Sequence, residues 1–218
     1  MCTSNNYLSM VILFTVIKSF VKFQIFIVLF TCASILSADP YSLEKLSEYL
    51  TNLKFLKATF LQVNSDGSKS SGSILVKRPG RMRFDYDKPD NTLVLVAAGA
   101  LAIFDPKGDK EPMIYPVRNN PISLLLKSEI DLINSGMVSN YKKDLEEAVL
   151  TINDPTKPKR GSVELLFLGE QPELKKFTLR NENGTSTSIF LENTEYPKNI
   201  NDSLFSIALE INKRKESE

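Results

Sequence analysis

The side chains best equipped for chemistry lie between Val76 and Tyr86, in the string Lys77-Arg78-Pro79-Gly80-Arg81-Met82-Arg83-Phe84-Asp85-Tyr86. Arg81, Arg83 and Asp85 alternate with Met82, Phe84 and Tyr86, which predicts a strand with one charged and one aromatic face. Proline removes a ladder donor and glycine permits unusual backbone angles, so Pro79-Gly80 reads as a kink in one long strand. That strand runs from Gly72 to Arg78 and resumes from Arg81 to Tyr86. Carried through the kink, the alternation places Arg78 on the aromatic face. A cation there needs a partner or an opening to water. Arg81 and Arg83 read as a wet face available for electrostatic docking.

The usual catalytic groupings are missing. Without histidine the chain can build no Ser-His-Asp triad and no histidine metal cluster. Its cysteines, Cys2 and Cys32, both precede residue 39, which leaves no thiolate nucleophile and no disulfide from residue 39 onward. Glycine-rich phosphate loops are absent. Carboxylate pairs such as Glu146-Glu147 sit in charged, solvated stretches. These features argue against an enzyme and call for no cofactor and no metal.

Residues 1–38 carry no acidic residue, two lysines (Lys18 and Lys22) and a nearly continuous apolar run from Phe23 to Leu36. The run falls short of the ~20 apolar residues of a comfortable membrane span. With Ser37-Ala38 behind it, it reads as a secretory signal peptide cleaved after Ala38; an uncleaved anchor is the alternative. Removing the two lysines takes the formal charge from +1 to −1, so gross charge does not point to nucleic acid. The chain from residue 39 onward suits one domain, 39–212, followed by a charged, disordered tail, 213–218.

Along that domain Asp39 reads as a helix cap with Pro40 in the first turn. Leu43, Leu46, Leu50 and Leu53 then form one apolar stripe at helical spacing. Strands are expected at 56–63, 92–96, 101–104, 113–117, 149–153, 163–168, 174–180 and 186–194. Short helices are expected at 122–127 and 129–137. So many short strands mean an antiparallel sheet or barrel. The two helical segments are too few to cover both of its faces, but they could plug one concave face. Leu43, Leu46, Leu50, Phe60, Met82, Phe84, Ile122, Leu124, Leu125 and Leu126 could line one interior, and the residues alone leave open whether it is filled or hollow.

The ordered set of motifs resembles the outer-membrane lipoprotein carrier family. It comprises Leu56, Ala58, Phe60 and Gln62; Gly72-Ser73-Ile74; the Arg78-Pro79 string; Asn120 to Leu125; and Leu204 to Ile207. The resemblance covers most of residues 39–210. The family often has tryptophan where this chain has Phe84, and the proline that usually follows the C-terminal phenylalanine is missing. The resemblance implies an α+β, mainly β fold: an incomplete antiparallel β-barrel, or half-barrel, closed by an α-helical lid. It implies a hollow interior that receives lipid. It makes Arg78 the latch of the lid, donating to backbone carbonyls near Pro121 to Leu126. It also implies a monomeric periplasmic chaperone that takes triacylated lipoproteins from an ATP-driven inner-membrane release complex and passes them to an outer-membrane lipoprotein acceptor. The alternative on the same fold is a periplasmic lipid- or lipoprotein-sensing regulatory module; a lipid-acting enzyme is a third reading.

Overall fold

The computed structural model describes residues 39–108 and 111–216. The signal-peptide reading, both cysteines and the last two residues of the expected tail lie outside the described residues. No helix among the described residues is long and apolar enough to cross a membrane.

Among the described residues, alternating sequence becomes eleven antiparallel strands. They are β1 Phe55–Asn64, β2 Lys69–Lys77, β3 Arg81–Tyr86, β4 Leu93–Ala97, β5 Ala100–Phe104, β6 Met113–Pro116, β7 Val138–Lys143, β8 Glu147–Asn153, β9 Gly161–Leu168, β10 Glu173–Asn181 and β11 Ser186–Glu195. Their order is β6-β5-β4-β3-β2-β1-β11-β10-β9-β8-β7. Two meanders are therefore joined where β1 pairs with β11, and the sheet is open at β6 and β7. Ile103 of β5 and Leu179 of β10 nevertheless line one hollow. In a flat sheet, six strand spacings would hold them ~29 Å apart, so the sheet is strongly curled.

Helix α1, Leu43–Asn52, lies inside that curl. Its cap is Ser42, whose side chain accepts from the Lys45 N–H, rather than Asp39. Leu46 and Leu50 enter the same buried cluster as Phe60, Met82, Phe84 and the inward residues of β8 to β11.

Four other expectations are corrected. The Pro79-Gly80 kink is the turn of a β2–β3 hairpin, not a bend in one strand: Lys77 pairs with Arg81, Val76 with Met82 and Ile74 with Phe84. Gly80, at φ +73°, supplies the left-handed residue of a three-residue loop. Residues 122–127 form a 3-10 turn over Pro121–Leu124, capped by Asn120, instead of a full short helix. Residues 129–137 are irregular. The Asp131 carboxylate accepts the N–H groups of Ile133 and Asn134, and Ser135 Oγ donates back to the Asp131 carbonyl. Such local bonds divert backbone groups from a helix ladder. Finally, residues 213–216 of the expected tail are helical, as the last turn of α2, Ile207–Glu216.

Candidate functional site

Arg78 sits in the hairpin turn and is only 5% exposed. Its guanidinium donates from Nε and Nη2 to the Lys127 carbonyl at 2.9 and 2.8 Å. Nη1 donates to the Leu53 carbonyl at 3.1 Å and to the Leu50 carbonyl in a shorter contact. The latter two carbonyls belong to the C-terminal end of α1. That end lacks intrahelical donors and carries the negative pole of the helix, so a buried cation is well placed there. Burial pulls the guanidinium pKa down to about 10, and Arg78 therefore stays charged at neutral pH. Its partners run along Leu50, Leu53 and Lys127, outside the expected Pro121–Leu126 stretch. Within that stretch, the Leu126 carbonyl accepts the Gly80 N–H at 2.9 Å.

The two elements held by Arg78 are also tied to each other. Ser47 Oγ donates to the Ile130 carbonyl at 2.7 Å and accepts the Leu132 N–H at 3.1 Å. Lys54 Nζ reaches the Ser128 carbonyl at 3.3 Å. Helix α1 and residues 121–132 thus form one hydrogen-bonded unit, joined to the sheet hairpin through the Arg78 turn.

The residues expected to line an interior are brought together. Leu46, Leu50, Phe60, Met82, Phe84, Ile122, Leu124 and Leu125 belong to one buried cluster, and Leu43 packs against it from a partly buried position. Open space within the cluster is uneven. Beside Arg78, where Leu50, Met82 and Leu125 converge, the cavity is about 30 Å³, room for one or two waters at ~15 Å³ each. Farther along β3, Phe84 and Ile122 border a hollow of about 290 Å³, near the lower end of the ~300–1,000 Å³ typical of small-molecule sites. Leu43, Leu46, Phe60 and Leu124 line neither space.

The wider hollow has members that alternation alone does not single out. Val94, Leu101 and Ile103 supply apolar wall, while Asn120, Asn181 and Thr187 supply polar atoms. Phe60, Phe84 and Tyr86 meet edge-to-face or stacked, with centroids 5.1 to 6.3 Å apart. Tyr86 donates its hydroxyl to Gln62 Oε1 at 2.6 Å. Burial, with the nearby Asp90 charge second, pushes the Tyr86 pKa up to about 12. The folded pKa lies above the unfolded value, so the stabilisation is complete below pH ~10 and is lost as pH rises through ~12. Alkaline titration followed by tyrosinate absorbance should show a step near pH 12 that Tyr86→Phe abolishes. Persistence of the step in that variant would assign it to another tyrosine.

Arg81 and Arg83 are not free for docking as expected. Arg81 pairs with Asp202. Arg83 binds Asp85 at 2.6 Å and the Leu204 carbonyl at 3.0 Å. Among the described residues, no cluster of three or more His, Cys, Asp or Glu side chains could hold a metal.

Comparison with known proteins adds a relationship to this geometry. A family model described as "Outer membrane lipoprotein carrier protein LolA" matches residues 51–208. An outer-membrane lipoprotein carrier protein of Methylococcus capsulatus is 26% identical over 180 residues, covering 78% of this chain and 85% of that protein. One from Coxiella burnetii is 31% identical over 114 residues, covering 49% of this chain and 54% of that protein, so the match spans about half of that relative's length. Among solved structures, a putative outer membrane lipoprotein-sorting protein domain from Vibrio parahaemolyticus superposes with a TM-score of 0.48 at 12% identity, covering 78% of this chain and 97% of that one. The MucA/MucB complex of Pseudomonas aeruginosa gives 0.42 at 18% identity, covering 78% and 61%.

Proposed function

Because the chain belongs to the outer membrane lipoprotein carrier (LolA) family, we propose that it is a periplasmic, monomeric carrier of acylated lipoproteins. It takes them from an ATP-driven inner-membrane release complex to an outer-membrane acceptor. The observation that carries this reading is the buried Arg78, which joins α1 and Lys127 to the sheet hairpin through backbone carbonyls. Bonds to carbonyls leave no side chain on the far side to reposition, which suits a contact that must break and re-form.

In this reading α1 with residues 121–132 is the lid and Arg78 is its latch. Each methylene brought into water costs about 0.8 kcal/mol, so a lipoprotein carrying several acyl chains cannot cross an aqueous space uncovered. The interior framed by Leu46, Leu50, Met82, Phe84, Ile122 and Leu125 offers the apolar lining such chains need. With the latch closed its open space is about 30 Å³ beside Arg78 and about 290 Å³ beyond Phe84. Loading therefore displaces the lid, and the closed state competes with bound lipid. That competition supplies the means of release, since cargo held too tightly cannot be handed on.

The direct test incubates the protein with inner membranes containing the release complex, lipoprotein and ATP, followed by mass spectrometry of the repurified protein. Intact lipoprotein should co-purify in an ATP-dependent manner. Hydrolysed lipid would indicate an enzyme, and a bare protein would defeat the carrier reading.

A further inference from the structure

Strands β4 and β5 are apolar on both sides. Val94, Val96, Leu101 and Ile103 face the hollow. Leu93, Leu95, Ala102 and Phe104, the alternate residues, form a separate buried cluster on the opposite side of the sheet. Among the described residues, the partly buried apolar side chains packed on that second cluster are Ile207 and Ile211 of α2. The Arg214 guanidinium lies over the Phe104 ring, 4.8 Å from its centroid.

Just before α2, Phe205 is buried to 1% exposure and fixes the start of the helix; around it the contacts are charged. Asp202 bridges Lys77, at 2.8 Å, and Arg81. Glu210 faces Arg83 at 3.9 Å and Arg214 at 3.0 Å, while Lys215 reaches Glu111 at 2.6 Å. Asp202 titrates below the usual carboxylate range, chiefly because Lys77 donates to it. No side chain of α2 is fully buried, and a ten-residue helix is marginal by itself. Its Lys215–Glu111 pair is open to solvent, a kind that contributes little and weakens with salt, whereas Arg83–Glu210 is largely shielded. Beneath the helix the four apolar residues are almost completely buried.

We propose that α2 is a releasable cover on a second docking face, and that the partner replacing it presents an amphipathic helix of the same design. That helix would carry two aliphatic side chains one turn apart, as Ile207 and Ile211 are, and a carboxylate beside them to meet Arg83. The basic row Lys77, Arg81 and Arg83 selects an acidic partner, as it holds Asp202 and Glu210 in the resident segment. The face lies on the far side of the two strands that wall the hollow. A partner bound there touches the same strands as the cargo while leaving the interior unobstructed.

The test uses the full chain and a fluorescent peptide of residues 202–216 added in trans. The double variant Ile207→Asp/Ile211→Asp should keep its sheet circular dichroism and bind the peptide at least tenfold more tightly than wild type, because the resident helix no longer competes. A peptide in which Asp202 and Glu210 are both lysine should lose at least tenfold. No difference between the two proteins would overturn the proposal. So would concentration-dependent dimerisation of the variant in place of peptide binding, which would make the face a contact between copies. If the variant fails to fold, hydrogen exchange on wild type decides: amides of 207–216 should exchange at least a hundredfold faster than those of β1 and β2, and equal protection would refute a releasable cover. None of these readouts involves lipoprotein, so their outcome is separate from that of the carrier reading.

Discussion

Arg78→Leu should give a protein that folds, loads lipoprotein and fails to hand it on. The leucine fills apolar space beside Leu50, Met82 and Leu125 but donates nothing. The carbonyls of Leu50, Leu53 and Lys127 then lose their side-chain donor. Leaving buried polar groups unsatisfied costs about 1–3 kcal/mol each. A loss of about 3 kcal/mol in the closed arrangement shifts the balance between closed lid and bound lipid by about two orders of magnitude. The sheet itself is untouched, because the β2–β3 pairing from Lys77–Arg81 to Gly72–Tyr86 does not involve the guanidinium. The measurement is the fraction of lipoprotein left on the protein after acceptor is added: near complete for the leucine variant, low for wild type. Arg78→Lys should fall between them, since an ammonium keeps the charge but lacks the fork that spans two chain segments. Normal transfer by Arg78→Leu would sink the latch.

The second large effect belongs to Gly161, which no motif marks. At φ +117° it occupies backbone space that favours glycine. A Cβ built there would stand 2.1 Å from the Arg180 carbonyl oxygen and 2.8 Å from Pro121 Cγ. The first contact is with the β10 backbone and cannot yield without breaking the β9–β10 register, in which Gly161 opposes Asn181. The second pushes Pro121 and the 3-10 turn behind it off the sheet. Gly161→Ala should therefore cost about 4 kcal/mol through strain and overpacking together. For a domain of this size that lowers the melting temperature by about 10 °C. Calorimetry or thermal circular dichroism checks it, and an unchanged melting temperature would show that the neighbouring backbone can give way. A variant that survives at low temperature should also retain lipoprotein, because its Pro121 segment no longer seats.

Much of the site is legible in the sequence, for reasons of periodicity. Leucines at 43, 46, 50 and 53 can share a surface only as a helix, and Leu46 and Leu50 are fully buried on α1. Strict alternation at Met82 and Phe84 places both on the inner face. Alternation fixes a side, however, not a direction. A kinked strand and a hairpin both put Val76, Arg78 and Met82 on one side, so the pattern around Pro79-Gly80 does not separate the two. The charged C-terminus reads as a tail because its composition favours solvent. Its anchors, Arg83, Phe104 and Glu111, are distant in sequence and come together only when β3 and β5 flank β4 in the sheet. Strand β7, with Lys142 and Lys143 at its end, has too little apolar alternation to declare itself; it exists because β8 offers it a ladder. Its lysines suit an unpaired edge.

The sequence by itself determined which residues face inward, that one arginine shares their side, and that histidine and thiol chemistry is closed to the residues beyond 38. These are local properties, carried by residue type and by spacings of two or three to four. Only the tertiary structure decided which carbonyls Arg78 reaches, where the interior is open and where it is filled, and that the outside of β4 and β5 has a cover. Each of those depends on segments brought together from far apart in the chain, and the pairing of β1 with β11 that joins the two meanders has no signature in either strand alone.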